Sequence, residues 1–372
     1  MTGKEKSALQ KEVLDKIKPN KSGRLILAPR VGKTKIVIDY IKREKLSGRI
    51  LWVTPTSKLA EEDIPAEFDK WKAKKYKKQL FTTTWRGLEK AEGVYSLIVL
   101  DEEQFMTEKN SKPLLSGILK GKVVLSMTGT ESKTPIKREL YKALKLKELY
   151  RISITSAVDI GLLANYEIKV VMVPMDHKEN ILVEYKDKVT KQAKSFVTSE
   201  VKQYDYLNRK MERKGKTKFD LLLRRRLIGN SSSKLGAVKY IINSLEGKRL
   251  IFAVDRKQAE ELSDYVYHGN SDDKDLKRFI NGEIDKIAMV NKGGTGYTYT
   301  SVDNLIMTQV DSDNNGLTSQ KIARTLLEQG DYKACIWLVC LAKTQDEIWL
   351  ASTLENFDAG KVEYINFKEL EI

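Results

Sequence analysis

The sequence Ala28-Pro29-Arg30-Val31-Gly32-Lys33-Thr34 joins two segments of different hydrophobic periodicity. Residues 24–27 upstream form a short, mainly apolar run typical of a buried strand, and residues 35–41 downstream carry apolar side chains at helical spacing. A strand, a loop containing Gly-Lys-Thr and a helix, in this order, are the context of a phosphate-binding loop. We therefore expect this segment to bind a phosphate group at the start of the helix.

The side chains of this loop match the roles that a nucleoside triphosphate requires. Backbone N–H groups at the helix start face the phosphates, Lys33 reaches the β and γ oxygens, and the Thr34 hydroxyl ligates Mg²⁺. The full signature has a glycine five residues before Gly32, where this chain has Leu27. The match is therefore partial, and an ordinary strand–turn–helix junction is the alternative interpretation.

An acidic pair follows another apolar segment. Residues 96–100 are typical of a buried strand, which leads directly into Asp101 and Glu102. In an ATPase with a phosphate-binding loop, the first carboxylate holds Mg²⁺, often through water, and the second orients the attacking water. Two adjacent acids are common by chance, but much less so behind such a loop. Thr34 and Asp101 are therefore the candidate metal ligands.

Further polar residues stand at predicted strand ends. Three strands end in Thr54-Pro55-Thr56, Thr82-Thr83-Thr84 and Thr128-Gly129-Thr130. Polar residues at such ends are placed to meet a ligand in an open α/β sheet. Gln10, in a helix predicted over residues 7–18, either reads an adenine edge or is a solvated helix residue. Because strands alternate with helical stretches, the sequence predicts a doubly wound parallel sheet.

The chain is strongly basic. Its 372 residues contain 67 Lys and Arg against 51 Asp and Glu, a formal charge of +16. Half of this excess, 17 basic minus 9 acidic residues or +8, lies in residues 165–235. The excess favours a polyanionic partner, most simply nucleic acid bound through its phosphates, although a merely basic surface is the simpler alternative. We expect a basic, mainly helical segment, about residues 178–230, to contact nucleic acid through Arg224 and Arg225.

A chain of this length should form about two domains. We place the first at residues 1–160 and the second at residues 161–372, where a new α/β pattern follows the basic segment. In the second domain a glycine-rich loop over 291–298 permits close backbone approach to a phosphate. A helix that opens at Gln320 carries Arg324, which can reach a γ-phosphate.

The cysteines and the lack of long apolar segments indicate the cellular compartment in which the protein is expected. Cys335 and Cys340 lie in an apolar run over residues 334–342, so we interpret them as core residues rather than a disulfide or metal pair. The N-terminus lacks the apolar region of a signal peptide, and no stretch reaches membrane-spanning length. We therefore expect a soluble cytoplasmic protein, in the host cytoplasm if the origin is a phage.

Taken in order, these segments resemble the core of superfamily 2 helicases and translocases. The resemblance is to the DExH-type branch, which contains phage branch-migration helicases and Snf2-type ATPases, and it extends from Gln10 to about Leu327. The similar segments are 28–34 (motif I), 54–56 (Ia), 82–84 (Ib), 101–104 (the DExH box), 128–130 (III), 251–260 (IV), 292–303 (V) and 320–324 (VI).

The resemblance implies two RecA-like domains that bind ATP and Mg²⁺ between them and hold a nucleic-acid strand across both. The implied catalytic residues are Lys33, Glu102, Gln320 and Arg324, and the residues implied to couple hydrolysis to movement are Thr128, Gly129 and Thr130. The implied ATP contacts are Arg30, Val31, Gly32, Lys33, Thr34, Gln10 and Gly296. The implied nucleic-acid contacts are Thr54, Pro55, Thr56, Thr84, Lys292 and Thr295.

Three positions depart from the family pattern. Arg30 stands where many members have a glycine, Ala323 replaces the usual glycine of motif VI, and Leu327 stands where a second arginine is common. An arginine finger is worth about 10³–10⁵ in rate. If the missing arginine is that finger, the sequence predicts impaired hydrolysis, and charge neutralisation by Arg30 is the available compensation.

The sequence thus predicts an ATP-dependent DNA helicase, translocase or branch-migration enzyme that binds the phosphate backbone. DNA is favoured over RNA because the box ends in Glu103-Gln104, not the Ala-Asp of the commonest RNA-remodelling group, and because motif V is similar to the Snf2 type. An RNA helicase and a non-hydrolysing DNA-binding or annealing clamp are the alternatives. Replication or recombination proteins are further candidate partners, and no membrane is expected.

Overall fold

The computed structural model describes residues 1–131, 134–186, 190–269, 271–290, 299, 301–310, 317–326 and 332–370. These residues form two compact units, and the chain passes from the first to the second between Asn165 and Tyr166. The first unit comprises the described parts of Met1–Asn165, Ser312–Tyr332 and Glu355–Phe357. The second comprises the described parts of Tyr166–Asp311, Lys333–Leu354 and Asp358–Ile372.

The first unit contains a six-stranded sheet. Its strands are β1 (Gly23–Leu27), β2 (Ile50–Thr54), β3 (Leu80–Thr84), β4 (Gly93–Asp101), β5 (Leu119–Thr128) and β6 (Glu148–Ile152). Their order across the sheet is β3-β2-β4-β5-β1-β6, and all of the described pairs are parallel. β1 and β2 are buried along their whole lengths, which explains why both are apolar runs without alternation.

Seven helices of the first unit lie ahead of, between or after these strands. They are α1 (Gly3–Lys16), α2 (Lys33–Arg43), α3 (Ile64–Lys70), α4 (Lys74–Lys77), α5 (Glu108–Leu115), α6 (Pro135–Ala143) and α7 (Ile154–Asp159). The predicted helix over residues 7–18 is displaced towards the N-terminus. It begins at Gly3 because Thr2 and Glu5 form a reciprocal capping box, in which each side chain accepts a hydrogen bond from the other residue's N–H.

The second unit opens with β7 (Asn165–Val173), followed by a segment whose two strands do not join the main sheet. This segment is an antiparallel hairpin of β8 (Ile181–Lys186) and β9 (Ala193–Thr198), then α8 (Glu200–Lys214) and α9 (Lys218–Gly229). The expectation of a mainly helical segment over about residues 178–230 is wrong for β8 and β9. β-Branched and aromatic side chains favour strands there, and pairing between the two strands satisfies their backbone groups.

A seven-stranded sheet forms the rest of the second unit. Besides β7, its strands are β10 (Arg249–Ala253), β11 (Val266–Tyr267), β12 (Lys286–Val290), β13 (Asn304–Met307), β14 (Lys333–Leu341) and β15 (Val362–Asn366), in the order β11-β12-β10-β13-β14-β7-β15. The pairs of described register are parallel. The prediction of two parallel α/β sheets is therefore confirmed.

The remaining helices complete the topology. They are α10 (Ser232–Ser244), α11 (Arg256–Leu262), α12 (Lys274–Ile280), α13 (Leu317–Thr325), α14 (Gln345–Leu354) and α15 (Phe367–Leu370). Of these, α13 belongs to the first unit, although it follows β13 in the chain. Cys335 and Cys340 both lie in β14 as free thiols; Cys340 is buried in the core, whereas Cys335 is only half-buried. Among the described residues no helix is long and apolar enough to cross a bilayer.

Candidate active site

The phosphate-binding loop has the predicted local structure. β1 ends at Leu27, α2 begins at Lys33, and Gly32 precedes the helix with a φ of +94°. A side chain at Gly32 would be strained by this φ, and its Cβ would lie 2.4 Å from the Gln10 amide nitrogen. The backbone conformation therefore favours glycine here, and the Gln10 side chain would have to shift to admit a Cβ.

Gln10 supports this loop directly. Its side chain is 6% exposed, and its Nε2 donates to the carbonyl oxygen of Val31 at 2.7 Å. The prediction left open whether Gln10 is a solvated helix residue, and the structure excludes that alternative. The contact places the Gln10 amide beside the loop, next to the cavity into which the loop opens.

The cavity beside the loop has a volume of about 600 Å³. Its lining includes Lys33, Thr34, Asp101, Gln10, Lys6 and Trp71. Burial, followed by the charges of Arg30, Lys70 and Lys35, lowers the pKa of Lys6. This accumulation of positive charge suits an anionic ligand.

The acidic pair lies at the predicted end of β4. Asp101 is the last residue of the strand, and Glu102 follows it with a φ of +55°, which a non-glycine residue seldom adopts. Lys33 Nζ donates to Glu102 Oε1 at 2.7 Å, so the loop lysine and the second acid are in direct contact. The structure thereby brings together two residues that lie 69 positions apart in the chain.

The two acids have opposite pKa shifts. Burial, reinforced by the neighbouring Glu102 charge and opposed by Lys33, raises the pKa of Asp101. Burial also acts to raise the pKa of Glu102, but the Lys33 charge and hydrogen bond, the Gln104 amide and the Arg324 charge together lower it. Of the two acids, Glu102 is therefore the one that stays ionised more readily. A carboxylate must be ionised to accept a proton or a hydrogen bond from water.

Helix α13 supplies the two predicted motif VI residues to this site. Gln320 is 4% exposed, and its Nε2 donates to Glu102 Oε2 at 2.9 Å. The charge of Arg324, one turn further on, acts on the same carboxylate. Ala323, in place of the usual glycine, is fully buried. Leu327 lies outside the described residues.

A chain of hydrogen bonds connects the acidic pair to the predicted coupling segment. Gln104 Nε2 donates to Glu102 Oε2 at 3.0 Å, and the Thr128 hydroxyl donates to Gln104 Oε1 at 2.8 Å. The Thr128 hydroxyl oxygen also lies 2.6 Å from the Thr130 carbonyl oxygen. It accepts a hydrogen bond from the Thr130 N–H at 3.2 Å. Gly129 lies between them and close to Gln320, whose amide nitrogen would be in ordinary van der Waals contact, at 3.7 Å, with an added Cβ. The predicted coupling residues therefore contact the acid box through Gln104.

Thr34 and Asp101 are suitable Mg²⁺ ligands in their donor chemistry. Both line the same cavity and offer oxygen atoms, and Mg²⁺ ordinarily takes only one or two protein oxygens while keeping several waters. Within the described ranges there is no cluster of three or more His, Cys, Asp or Glu side chains that could hold a metal ion. A site that relies on few protein ligands thus fits the residues present.

The predicted nucleic-acid contacts of the first unit lie side by side. Thr54 and Thr84 are partners in the pairing of β2 with β3, so motifs Ia and Ib end at one edge of the sheet. The Thr54 side chain is fully buried, and its hydroxyl bonds to the Thr56 carbonyl at 2.9 Å. Thr84 Oγ1 accepts from the Gly87 N–H at 3.1 Å. These hydroxyls hold the turns after the strands, and Pro55 is partly exposed between them.

The predicted contacts of the second unit are only partly described. The Arg224 guanidinium bonds to Gln345 Oε1 at 3.1 Å and to Asn208 Oδ1 at 3.4 Å, whereas the Arg225 side chain is exposed. Lys292, Thr295 and Gly296 lie outside the described residues. Arg225 therefore remains the better surface candidate of the arginine pair.

Sequence reasoning missed the role of Glu103, the third acid of the box. Its side chain is fully buried and accepts from Arg24 Nε at 3.0 Å, from the Ser126 hydroxyl and from other groups of Arg24. Lys137 Nζ donates to the Glu103 and Gln104 carbonyl oxygens at 3.2 and 2.8 Å. The signal that was available is an arginine within the otherwise apolar strand β1, since a buried arginine needs an acidic partner.

Comparisons with solved structures agree with this fold. No protein-family model matches the chain, and no curated sequence matches it. The helicase domain of Pyrococcus furiosus Hef matches with a TM-score of 0.52 at 15% identity, covering 94% of this chain and 97% of that one. Saccharomyces cerevisiae Dbp5 bound to RNA and ADP BeF3 matches with a TM-score of 0.55 at 11% identity, covering 98% and 90%.

A third structure is much longer than this chain. The ATP-dependent Type ISP restriction-modification enzyme LlaBIII, bound to DNA, matches with a TM-score of 0.57 at 14% identity. The match covers 97% of this chain but only 31% of that enzyme. Together these matches show that the two parallel α/β sheets share the fold of the Hef helicase domain and of Dbp5.

Proposed function

We propose that this protein is an ATP-dependent nucleic-acid helicase or translocase that acts on DNA. The observation that carries the proposal is that Lys33 and Gln320, from two distant segments, both bond to the Glu102 carboxylate beside the phosphate-binding loop. A strand–turn–helix junction without a nucleotide role does not require these three polar side chains to meet.

Each side chain has a role in this proposal. The α2 N-terminus and Lys33 bind the β- and γ-phosphates, and ionised Glu102 orients the attacking water and accepts its proton. Thr34 and Asp101 hold Mg²⁺, which when bound neutralises charge on the β- and γ-phosphates. Arg324 stabilises charge on the γ-phosphate as the single matched finger. Gln320 senses the occupancy of the site through its bond to Glu102.

The proposed substrate is DNA, on the strength of the box ending Glu103-Gln104 and the Snf2-like motif V. The solved structures with this fold include one bound to DNA and one bound to RNA, so an RNA helicase remains the alternative. Leu327 in place of the second arginine favours a further candidate, a clamp that binds DNA but does not hydrolyse ATP.

The experiment is phosphate release by the purified chain with ATP and single-stranded DNA, duplex DNA or RNA. We expect DNA to stimulate phosphate release. Lys33→Ala and Glu102→Gln should each reduce turnover by about 100-fold or more, which is the loss of rate typical when a key charged group is removed from an active site. Lys42→Ala, an exposed lysine further along α2, and Glu108→Gln, an exposed acid just beyond the box, are the matched controls.

The outcomes separate the candidates. Stimulation by RNA alone would select the RNA helicase, and tight DNA binding without phosphate release would select the clamp. Turnover that survives in both Lys33→Ala and Glu102→Gln would refute the proposed site.

A further inference from the structure

The hairpin of β8 and β9 is a separate sheet of two strands. Its strands pair with each other and with no other described strand. An isolated hairpin is at best marginally stable in water, and large apolar side chains are ordinarily buried against a core. A hairpin of this kind that exposes such side chains therefore calls for a binding role.

One face of the hairpin is aromatic. The register pairs Val183 with Phe196 and Tyr185 with Lys194, and because side chains alternate along a strand, these four residues share a face. The Tyr185 and Phe196 rings are 46% and 50% exposed and lie edge to face, with centroids 6.0 Å apart. Two exposed rings and a lysine thus form one surface, which we call the aromatic face.

The charge of the segment that contains this face favours a polyanionic partner. Residues 178–230 contain 15 basic and 7 acidic residues, a net +8 (15 minus 7), and thus carry half of the charge excess of the whole chain. Aromatic rings beside basic groups are the means by which proteins bind single strands, since bases stack on the rings and cations contact the phosphates. A duplex offers no unstacked base to an aromatic ring except at its ends.

We propose that the aromatic face binds unpaired bases of single-stranded nucleic acid, with Tyr185 and Phe196 as stacking residues and Lys194 beside a phosphate. The proposal rests on the proposed function and deepens it, because it specifies that the substrate contains a single-stranded region. It also predicts little sequence preference, since every base has a face on which to stack.

The test uses the full chain and a fluorescent oligo(dT) of about 20 nucleotides, with a blunt duplex of the same length as comparison. The variant Tyr185→Leu with Phe196→Leu keeps apolar side chains on the strands but removes the flat rings. The matched control, Leu182→Ala with Val197→Ala, alters two side chains on the opposite face that are 60% and 52% exposed.

We expect the leucine variant to bind oligo(dT) at least tenfold more weakly and the duplex within twofold of wild type, while the alanine control binds both like wild type. A photocrosslink from oligonucleotides containing 5-iododeoxyuridine should map to Tyr185 or Phe196 in the wild type. This second readout locates the contact without relying on a variant.

Several results would overturn the proposal. The leucine variant could bind oligo(dT) with unchanged affinity, or the alanine control could lose as much oligo(dT) affinity as the leucine variant. Crosslinks that map only outside the hairpin would also overturn it. Self-association of the wild type that the leucine variant abolishes, with unchanged oligo(dT) binding, would assign the aromatic face to a second copy of the chain. If one of these results is obtained but DNA still stimulates ATP hydrolysis, the proposed function stands and only the role of the aromatic face is refuted. A wild type that neither binds nucleic acid nor hydrolyses ATP would refute both the proposed function and the role of the aromatic face.

Discussion

Glu103 pairs with Arg24, whereas its neighbour Glu102 pairs with Lys33. Adjacent acids of one box therefore have different tasks, because a turn of positive φ at Glu102 separates them and Glu103 begins a short 3₁₀ segment. Burial disfavours the charge of Arg24, but its bonds to Glu103 outweigh that effect and raise its pKa. The buried pair links β1 to the residues that follow β4.

At the residue scale we predict that Glu103→Gln lowers the free energy of unfolding by about 3 kcal/mol, because it leaves the buried Arg24 charge without its main partner. The estimate is at the low end for a broken buried pair, since Glu131 still bonds to Arg24 at 3.1 Å. Urea unfolding followed by tryptophan fluorescence measures the change.

The double variant Glu103→Gln with Arg24→Leu is the informative companion to this experiment. It removes both charges and should recover part of the lost stability, because an apolar side chain suits the buried strand β1. A single Glu103→Gln variant as stable as wild type would show that the pair contributes nothing.

At the scale of elements, one carboxylate joins the starts of two helices. Glu200, the first residue of α8, is 2% exposed and lies 31 positions before Ser231, the residue that caps α10. Its oxygens accept from the Ser231 and Ser232 hydroxyls at 2.9 Å each and from the Ser233 N–H at 3.0 Å. It also accepts from the Asp176 N–H at 2.9 Å, so it connects the start of the basic segment to its end.

The pH dependence of stability should report this junction. Burial acts to raise the pKa of Glu200, but the hydrogen bonds from Asp176 and Ser233 and its other donors outweigh burial and lower it. Because the folded pKa lies below the unfolded one, the stabilisation is complete above the ordinary value of 4.5 and is lost as the pH falls below it.

We therefore predict that Glu200→Gln costs about 2 kcal/mol of unfolding free energy at pH 7, as expected for lost bonds to a charged acceptor. The difference between wild type and variant should shrink as the pH falls below 4.5, where wild-type Glu200 becomes protonated. Glu212→Gln, an exposed acid on the same helix, is the control. A difference that stays constant with pH would contradict the assignment.

For the whole molecule, charge distribution decides how nucleic acid binds. The net charge of +16 favours association with polyanions by releasing counterions, so affinity should fall steeply with salt. We predict that Arg225→Gln with Arg226→Gln, two exposed side chains of α9, reduces the slope of log affinity against log salt by about 2 for duplex DNA.

The matched control for this charge change is Lys109→Gln with Lys142→Gln. These lysines are 80% and 75% exposed and lie in the first unit, outside the basic segment. Equal slopes for both double variants would mean that the basic segment has no special part in binding. A reduced slope for the arginine variant alone would support the segment as a phosphate contact.

Local patterns in the sequence determined the order of strands and helices around the phosphate-binding loop. Burial on both faces makes parallel strands apolar. The chemistry of the loop requires Gly32, Lys33 and Thr34 at fixed spacing. The box at Asp101 and Glu102 was equally visible. Only the tertiary structure decided that Gln320 contacts Glu102, that Glu103 pairs with Arg24, and that residues 181–186 and 193–198 pair to give an aromatic face. These contacts join residues whose separation along the chain carries no periodic signal, so packing and charge pairing in the folded molecule select them.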